Sequence, residues 1–513
     1  MAIRISGLNS GLDTDSIVQE LVSAYRTKQD KYKKAQTKLS WKQDAWKEMN
    51  TKIYNFYSKT LSNMRRVGNF TSKKKTTVSD STKATVSASS GVINGTQTLK
   101  VEQLAKAGYL TGKQLSRSNG EKIANDTALS ELGVKSGTLT FEVAGEQKTV
   151  EIKSDMTVKD LNAALKEQGI QASFDTTQQR FFLNSGASGV KNDFHLVIGK
   201  DDKAALDLAN SLGLATKENY EEVYGKDSVT ADMRFADRVE ATNAKIILNG
   251  AEFEGESNNF SINGLNITAL STSDEMTITT ATDVDGIYDM VKGFLKEYNE
   301  LMNAMEASYN APTSKGYEPL TDDEKDSMSD KEVEKWENKI KDSILRRDDT
   351  LRTVMSGMSS HMSKVFEVNG NKYSLASFGI KTAGYFNAAE NESYAYHIDG
   401  DGDDAFSSAN DDKLRKMIEE DPDAVAGFFT QLATSVYDNL HEKMATTKLS
   451  SSYKVYNDKQ MKTEYDEYTK TIKKWEDKLK DMEDYYYKKF SAMETALAKL
   501  QSQTNSLSSL FGG

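Results

Sequence analysis

Cysteine is absent from this 513-residue chain, and proline occurs only at Pro312, Pro319 and Pro422. The first absence excludes disulfides, thiolate metal sites and cysteine nucleophiles together. Lacking thiols and nearly lacking proline, the chain has no slow disulfide or isomerisation step in its folding. That suits a polypeptide that must refold quickly after crossing a membrane unfolded. Long apolar runs are also missing. No stretch approaches the roughly 18 consecutive apolar residues of a membrane span. The opening MAIRISGLNSGLDTDSIVQEL has neither the apolar run nor the small-residue cleavage site of a secretory signal. Membrane insertion and a cleaved signal peptide are therefore not expected.

Catalytic constellations are scarce as well. The four histidines, His195, His361, His397 and His441, lie far apart, with no i, i+4 pair and no His-Glu-x-x-His. Gly186-Ala187-Ser188-Gly189 runs into Val190 where a nucleophile elbow needs glycine. Gly199-Lys200 and Gly225-Lys226 lack the earlier glycine of a phosphate loop. Asp399, Asp401, Asp403 and Asp404 begin like a calcium loop, but Asp404 stands at the glycine position and Asn410 at the closing glutamate. A solvated acidic loop is the expectation there. No enzyme, cofactor or metal site is expected.

What the chain does have is a heptad seam at each end. Near the C-terminus Met461, Tyr465, Tyr468, Ile472, Trp475, Leu479, Met482, Tyr486, Phe490, Met493, Leu497 and Leu500 keep a/d spacing. Near the N-terminus Leu39, Trp46, Met49, Ile53 and Phe56 do so, extended back through Tyr32 and Tyr25 to Leu21. Such a stripe faces a partner along the whole helix. The assembly residues expected from it are Leu21, Leu39, Trp46, Met49, Ile53, Phe56, Tyr468, Ile472, Trp475, Leu479, Met482, Leu497 and Leu500. The net charge of −11 is uneven, since residues 1–80 carry 16 Lys and Arg against 7 Asp and Glu. These cations interleave with the seam, so solvated coiled-coil flanks explain them better than nucleic-acid binding does. Trp41, Trp46, Trp475 and Tyr485 to Tyr487 fit packing better than base stacking for the same reason.

The expected fold is multidomain α plus β, with long N- and C-terminal coiled-coil helices, a helical bundle and two nested β-rich head domains. A helix capped by Asp13 or Asp15 should run to about Arg66 with a break near Lys42. Residues 1–70 form one coiled-coil leg and 446–513 the other, with both tips mobile in the monomer. Thr- and Val-rich alternation places strands in 71–109 and 238–282, with Asn249-Gly250 as a hairpin turn. Between them, residues 110–237 read as an inserted unit with two hairpins, one small sheet and a helix from Thr157 to Gln168. Residues 283–445 are helical, with helices at 344–362 and 412–442 and polar insertions at 311–342 and 390–408. Flexible linkers are expected at 446–452 and 68–75. In one subunit the terminal helices can lie antiparallel, and from Met461 to Leu500 such a stalk spans about 60 Å.

Several segments together resemble the flagellar hook-associated protein 2 family. They are Ser6-Gly7-Leu8-Asn9-Ser10-Gly11-Leu12-Asp13-Thr14 with Ile17-Val18, and Leu99-Lys100-Val101-Glu102-Gln103-Leu104-Ala105. Further on come Ala241 to Phe260 with Leu248-Asn249-Gly250, Asp285-Gly286-Ile287 leading into Phe294 to Leu301, Phe378-Gly379-Ile380-Lys381-Thr382, and Asp421 to Phe429. The resemblance implies a filament cap at the distal end of the bacterial flagellum. It implies a homo-oligomeric ring, a pentamer, whose coiled-coil legs insert between flagellin subunits and whose β-rich domains form a plate. Flagellin would be retained, folded and inserted there during elongation. It further implies an extracellular location, an export chaperone and the hook-filament junction proteins as partners, and no nucleic acid. The alternative is a coiled-coil surface adhesin whose heads bind host glycan or mucin.

Overall fold

The computed structural model describes residues 10–384 and 386–511. The first nine residues, on which part of the expected mobile tip falls, lie outside them. The chain divides into two compact units, Met1–Phe70 with Val284–Gly513, and Thr71–Asp283.

Helix α1 spans Thr14–Asn55, and the Asp13 carboxylate caps it by accepting from the Ser16 amide at 3.1 Å and the Ser16 hydroxyl at 2.6 Å. These bonds, the side-chain one foremost, hold that carboxyl below its usual range. The expected break near Lys42 does not occur. No glycine or proline lies between Gly11 and Gly68, so nothing interrupts the hydrogen-bond ladder. The irregularity comes later, as a π-helical turn at Phe56–Leu61 followed by Ser62–Met64.

In the β-rich unit an antiparallel sheet of five strands runs in the order Lys74–Val78, Met276–Thr282, Gly95–Gln103, Ala244–Leu248, Ala251–Gly255. Asn249 and Gly250 both take positive φ, 51° and 84°, as a tight hairpin turn requires. Strands Asn259–Ile262, Leu265–Ala269 and Ala84–Ala88 form a second sheet, and Leu99, Val101, Ile246, Ile267 and Ile278 lie in the shared core. Residues 110 to 236 supply a separate core. Here one small sheet was expected and two are found. Gly137–Val143 pairs with Glu146–Ile152 and Phe194–Val197, whereas Gln171–Asp175 and Arg180–Ser188 join Ala107–Thr111 and Asp237–Val239. The strands entering and leaving the insertion create that second sheet. One is short and carries Gly108, the other has only three residues, so neither shows clear alternation. Helices α2 (Val158–Glu167), α3 (Lys203–Ser211) and α4 (Lys217–Tyr224) complete this part, with Thr157 and Thr216 forming capping boxes.

The helical unit resumes with α5 (Val284–Asn310), whose Ile287, Val291, Phe294, Tyr298 and Met302 face the core at helical spacing. Residues 311–342, expected as a polar insertion, contain α6 (Asp322–Asp326) and α7 (Asp330–Asp342). Helix α8 begins at Asp349 rather than Ile344, because Asp348 caps it through the amides of Thr350 and Leu351. The single helix expected over 412–442 is two, α9 (Lys413–Glu420) and α10 (Pro422–Lys443). Pro422 has no N–H to continue α9, and its fixed φ suits the first position of α10, behind the Asp421 cap. Two small hairpins, Phe366–Val368 with Asn371–Tyr373 and Ile380–Thr382 with Tyr396–Ile398, were not foreseen. Helix α11 runs from Asp458 to Phe511, so the C-terminal end expected to be mobile is helical through its described length.

Candidate assembly interface

α1 and α11 lie antiparallel. Tyr487 Oη donates to Asp15 at 2.8 Å, and Ser10 bonds Glu494. Tyr25 meets Trp475 and Tyr32 meets Tyr468, each with ring centroids 6.4 Å apart. Gln36 Nε2 donates to Thr469 Oγ1 at 2.7 Å. Trp46 stacks at 5.4 Å on Tyr456, just ahead of α11.

This pairing gives α1 a definite heptad. One seam position holds Val18, Tyr25, Tyr32, Leu39, Trp46 and Ile53, all apolar or aromatic. The other holds Val22 and then an amide in four successive heptads, Gln29, Gln36, Gln43 and Asn50. Gln29 is buried although polar, and Asn50 is 3% exposed. Amides at a seam fix register and restrict alternative pairings at a cost in stability. A search for apolar spacing passes over them, which is why half of the seam was missed. Leu21 is also corrected: it is 44% exposed, while Val18 and Val22 beside it are fully buried against the partner.

The other residues expected to mediate assembly fall into two groups. Trp46, Met49, Ile53 and Phe56 are buried in the bundle core with Phe294, Tyr298 and Leu432. They hold the bundle together. Leu39, Tyr468, Ile472, Trp475, Leu479, Met482 and Leu497 remain half-buried, and Leu500 is 59% exposed. No residue of α11 beyond Met461 is buried among those described. A pair of helices shields only one side of each seam, so the outer side of this one stays wet. Partial burial, with Glu464 nearby, still pushes the Tyr468 hydroxyl above its usual pKa.

Where the rod meets the bundle, the segment expected to be a flexible linker is tied down. Asn50 Nδ2 donates to the Tyr453 carbonyl at 3.1 Å and Asn50 Oδ1 accepts from the Val455 amide at 2.9 Å. The Thr447 hydroxyl accepts from the amides of Leu449 and Ser450, and Asp458 accepts from Ser451 at 2.7 Å. Burial raises the Asp458 carboxyl, but the bonds from Ser451 outweigh it and leave a net lowering. Facing this, the π turn presents Tyr57, which stacks on Tyr437 at 4.2 Å and bonds His441 Nδ1 at 2.8 Å. Arg65 covers the far side of Tyr437 at 3.8 Å. Burial first, then Tyr437, drives the Tyr57 hydroxyl well above the ordinary tyrosine range.

The acidic loop is not the solvated one expected. Asp399 and Asp401 are nearly buried, with Asp399 3.0 Å from Lys381 and Asp401 2.7 Å from Lys292. Asp403 also reaches Lys292, and Asp404 lies 2.6 Å from His397 Nδ1. Burial lifts the Asp404 carboxyl, yet the His397 bond leaves it lowered overall. A groove of about 1570 Å³ in the β-rich unit is lined, among others, by Lys113, Arg180 and Arg234 and by Glu142, Glu218 and Asp237. None of these six has an ion-pair partner among the described residues, so the groove favours neither sign of ligand. His361 Nδ1 lies 2.8 Å from Ser435 Oγ with Lys364 alongside, and burial and that lysine lower the imidazole pKa.

The model of the flagellar hook-associated protein 2 N-terminus matches residues 10–108, and that of its C-terminus matches residues 241–502. A flagellar hook-associated protein 2 of Halalkalibacterium halodurans is 24% identical over 480 residues, 88% of this chain and 83% of the relative. One of Thermotoga maritima is 24% identical over 381 residues, 72% of this chain and 55% of the relative. The crystal structure of domains D1-D2-D3 of the flagellar cap protein FliD from Escherichia coli aligns over 83% of this chain and 99% of its own, at TM-score 0.50 and 19% identity. That likeness is one of fold.

Proposed function

The chain belongs to the flagellar hook-associated protein 2 family, and on that premise we propose that it caps the distal end of the flagellar filament, outside the cell. In this role it is a homo-oligomeric ring, a pentamer, that retains exported flagellin and promotes its folding and insertion. An export chaperone and the hook-filament junction proteins are its further partners. The observation that carries this is the rod of α1 and α11, whose seam, apolar on α11 for some forty residues and shared with amides on α1, is covered on only one side. A seam in that condition is stable in water for a single chain but leaves area for other helices. The β-rich unit then serves as the plate. Among the described residues no helix is long and apolar enough to cross a membrane. The adhesin alternative is not favoured, because the family models and the curated relatives that match are those of flagellar hook-associated protein 2.

The test is the double variant Leu479→Asp with Leu497→Asp in a strain lacking the native protein. Filament growth should be lost while the purified variant keeps its β-sheet signal and its main unfolding transition. Filaments of normal length from that strain would refute the rod's part in assembly.

A further inference from the structure

Away from the seam, α1 has a second working surface. Thr14–Asn55 carries nine Lys and Arg against five Asp and Glu, and residues 322–342, which hold α6 and α7, invert this with five Lys against nine Asp and Glu. The two already meet within one chain. Lys34 Nζ lies 2.8 Å from Glu324, and Lys341 sits 4.7 Å above the Trp41 ring. The Lys34 bond, with the Thr321 amide, holds the Glu324 carboxyl below its usual range.

That contact does not exhaust either surface. Lys31 and Lys38, seven residues apart and hence on one face of the helix, flank Lys34. Both are exposed and neither has an ion-pair partner among the described residues. On the hairpin, Asp322, Asp323, Asp326, Asp330 and Glu334 are exposed and equally without one. A chain whose hairpin is seated on its own α1 leaves these outer carboxylates facing water.

We infer that they are the two halves of a contact between copies of this chain. The outer face of one copy's α6–α7 hairpin packs against the Lys31–Lys38 face of the next copy's α1. The occupant is a second copy because the complementary charges are both on this chain, and the contact inside each subunit shows that such faces bind. The contact joins two different patches, so it is heterologous, the type that closes into a ring when the rotation permits. It rests on the oligomeric reading above and names where subunits touch at the root of the rod.

The test uses the full chain in three forms, Lys31→Glu with Lys38→Glu, Asp326→Lys with Asp330→Lys, and all four changes together. Association is followed by sedimentation at low ionic strength and at about 0.5 M salt, where the Debye length falls to roughly 4 Å and exposed charges farther apart than that are largely screened. Circular dichroism confirms that each variant is folded. Each paired reversal should weaken self-association on the order of tenfold or more, because like charges then face each other. The four-change protein should recover it, and added salt should weaken the unaltered protein. If the unaltered chain associates and both reversals associate equally well, the contact lies elsewhere and the ring stands without it. If the reversals weaken association but the combination does not restore it, these faces are not each other's partners. An unaltered chain that stays monomeric at low salt would remove the oligomer and this contact together.

Discussion

The two halves of α1 have the same periodicity and different work. From Trp46 through the π turn that follows it the chain lies inside the bundle, with Trp46, Ile53, Phe56 and Leu61 at most 2% exposed. From Val18 to Gln43 its seam faces one helix, α11, and carries an amide at every second seam position from Gln29 onward. The first half is held by packing on all sides, where each lost methylene is felt. The second is held by one stripe whose polar members trade stability for register. A helix pair built in this way is specific without being strong. That suits the exchange of partners that the proposed role in assembly requires.

The sharpest break in the comparison should come from Phe56→Ala. Its ring packs against Phe294 and Tyr298 at centroid distances of 6.1 and 6.3 Å. Loss of a ring from such a core costs about 3–5 kcal/mol, to be read as a shift in the urea midpoint of the helical unit. Asn50→Leu comes next. It strands the Tyr453 carbonyl and the Val455 amide, a loss of about 1–3 kcal/mol. Hydrogen exchange should quicken across 446–457 while α5 is unchanged. Equal exchange in both proteins would mean that the latch is not what fixes the joint. The smallest effect, and of opposite sign, belongs to Gln36→Leu. An apolar side chain there should slow proteolysis of the free rod slightly while permitting shifted pairings. A uniform loss of rod stability would show that the Gln36–Thr469 bond is a net stabiliser.

How far the sequence could be read follows the same division. The helices at both ends, the hairpin at Asn249-Gly250 and the Thr157-capped helix rest on local chemistry, and the structure has them. Whether Ile53 faces a partner helix or a bundle core cannot be read from spacing, because both environments select the same residues at the same interval. Apolar spacing does not show the amide ladder either, since Gln29, Gln36, Gln43 and Asn50 are polar. A seven-residue recurrence of Gln29, Gln36 and Gln43 was the available signal. The second sheet of the insertion depended on pairing between Ala107–Thr111 and Arg180–Ser188, far apart in sequence and joined only by the fold. Asp399 and Asp401 looked solvated because Lys292, which neutralises Asp401, comes from a helix more than a hundred residues earlier.

Methionine oxidation offers the most direct test of the claim that the rod's seam is incomplete in one chain. Met482 and Met493 sit half-buried on α11, and Met49 is 5% exposed in the bundle. With dilute peroxide the isolated chain should oxidise Met482 and Met493 well before Met49, since exposure governs the rate. At the tip of intact filaments the two rod residues should become as resistant as Met49. If they oxidise equally fast in both settings, nothing covers the seam on assembly and the account of the rod is wrong.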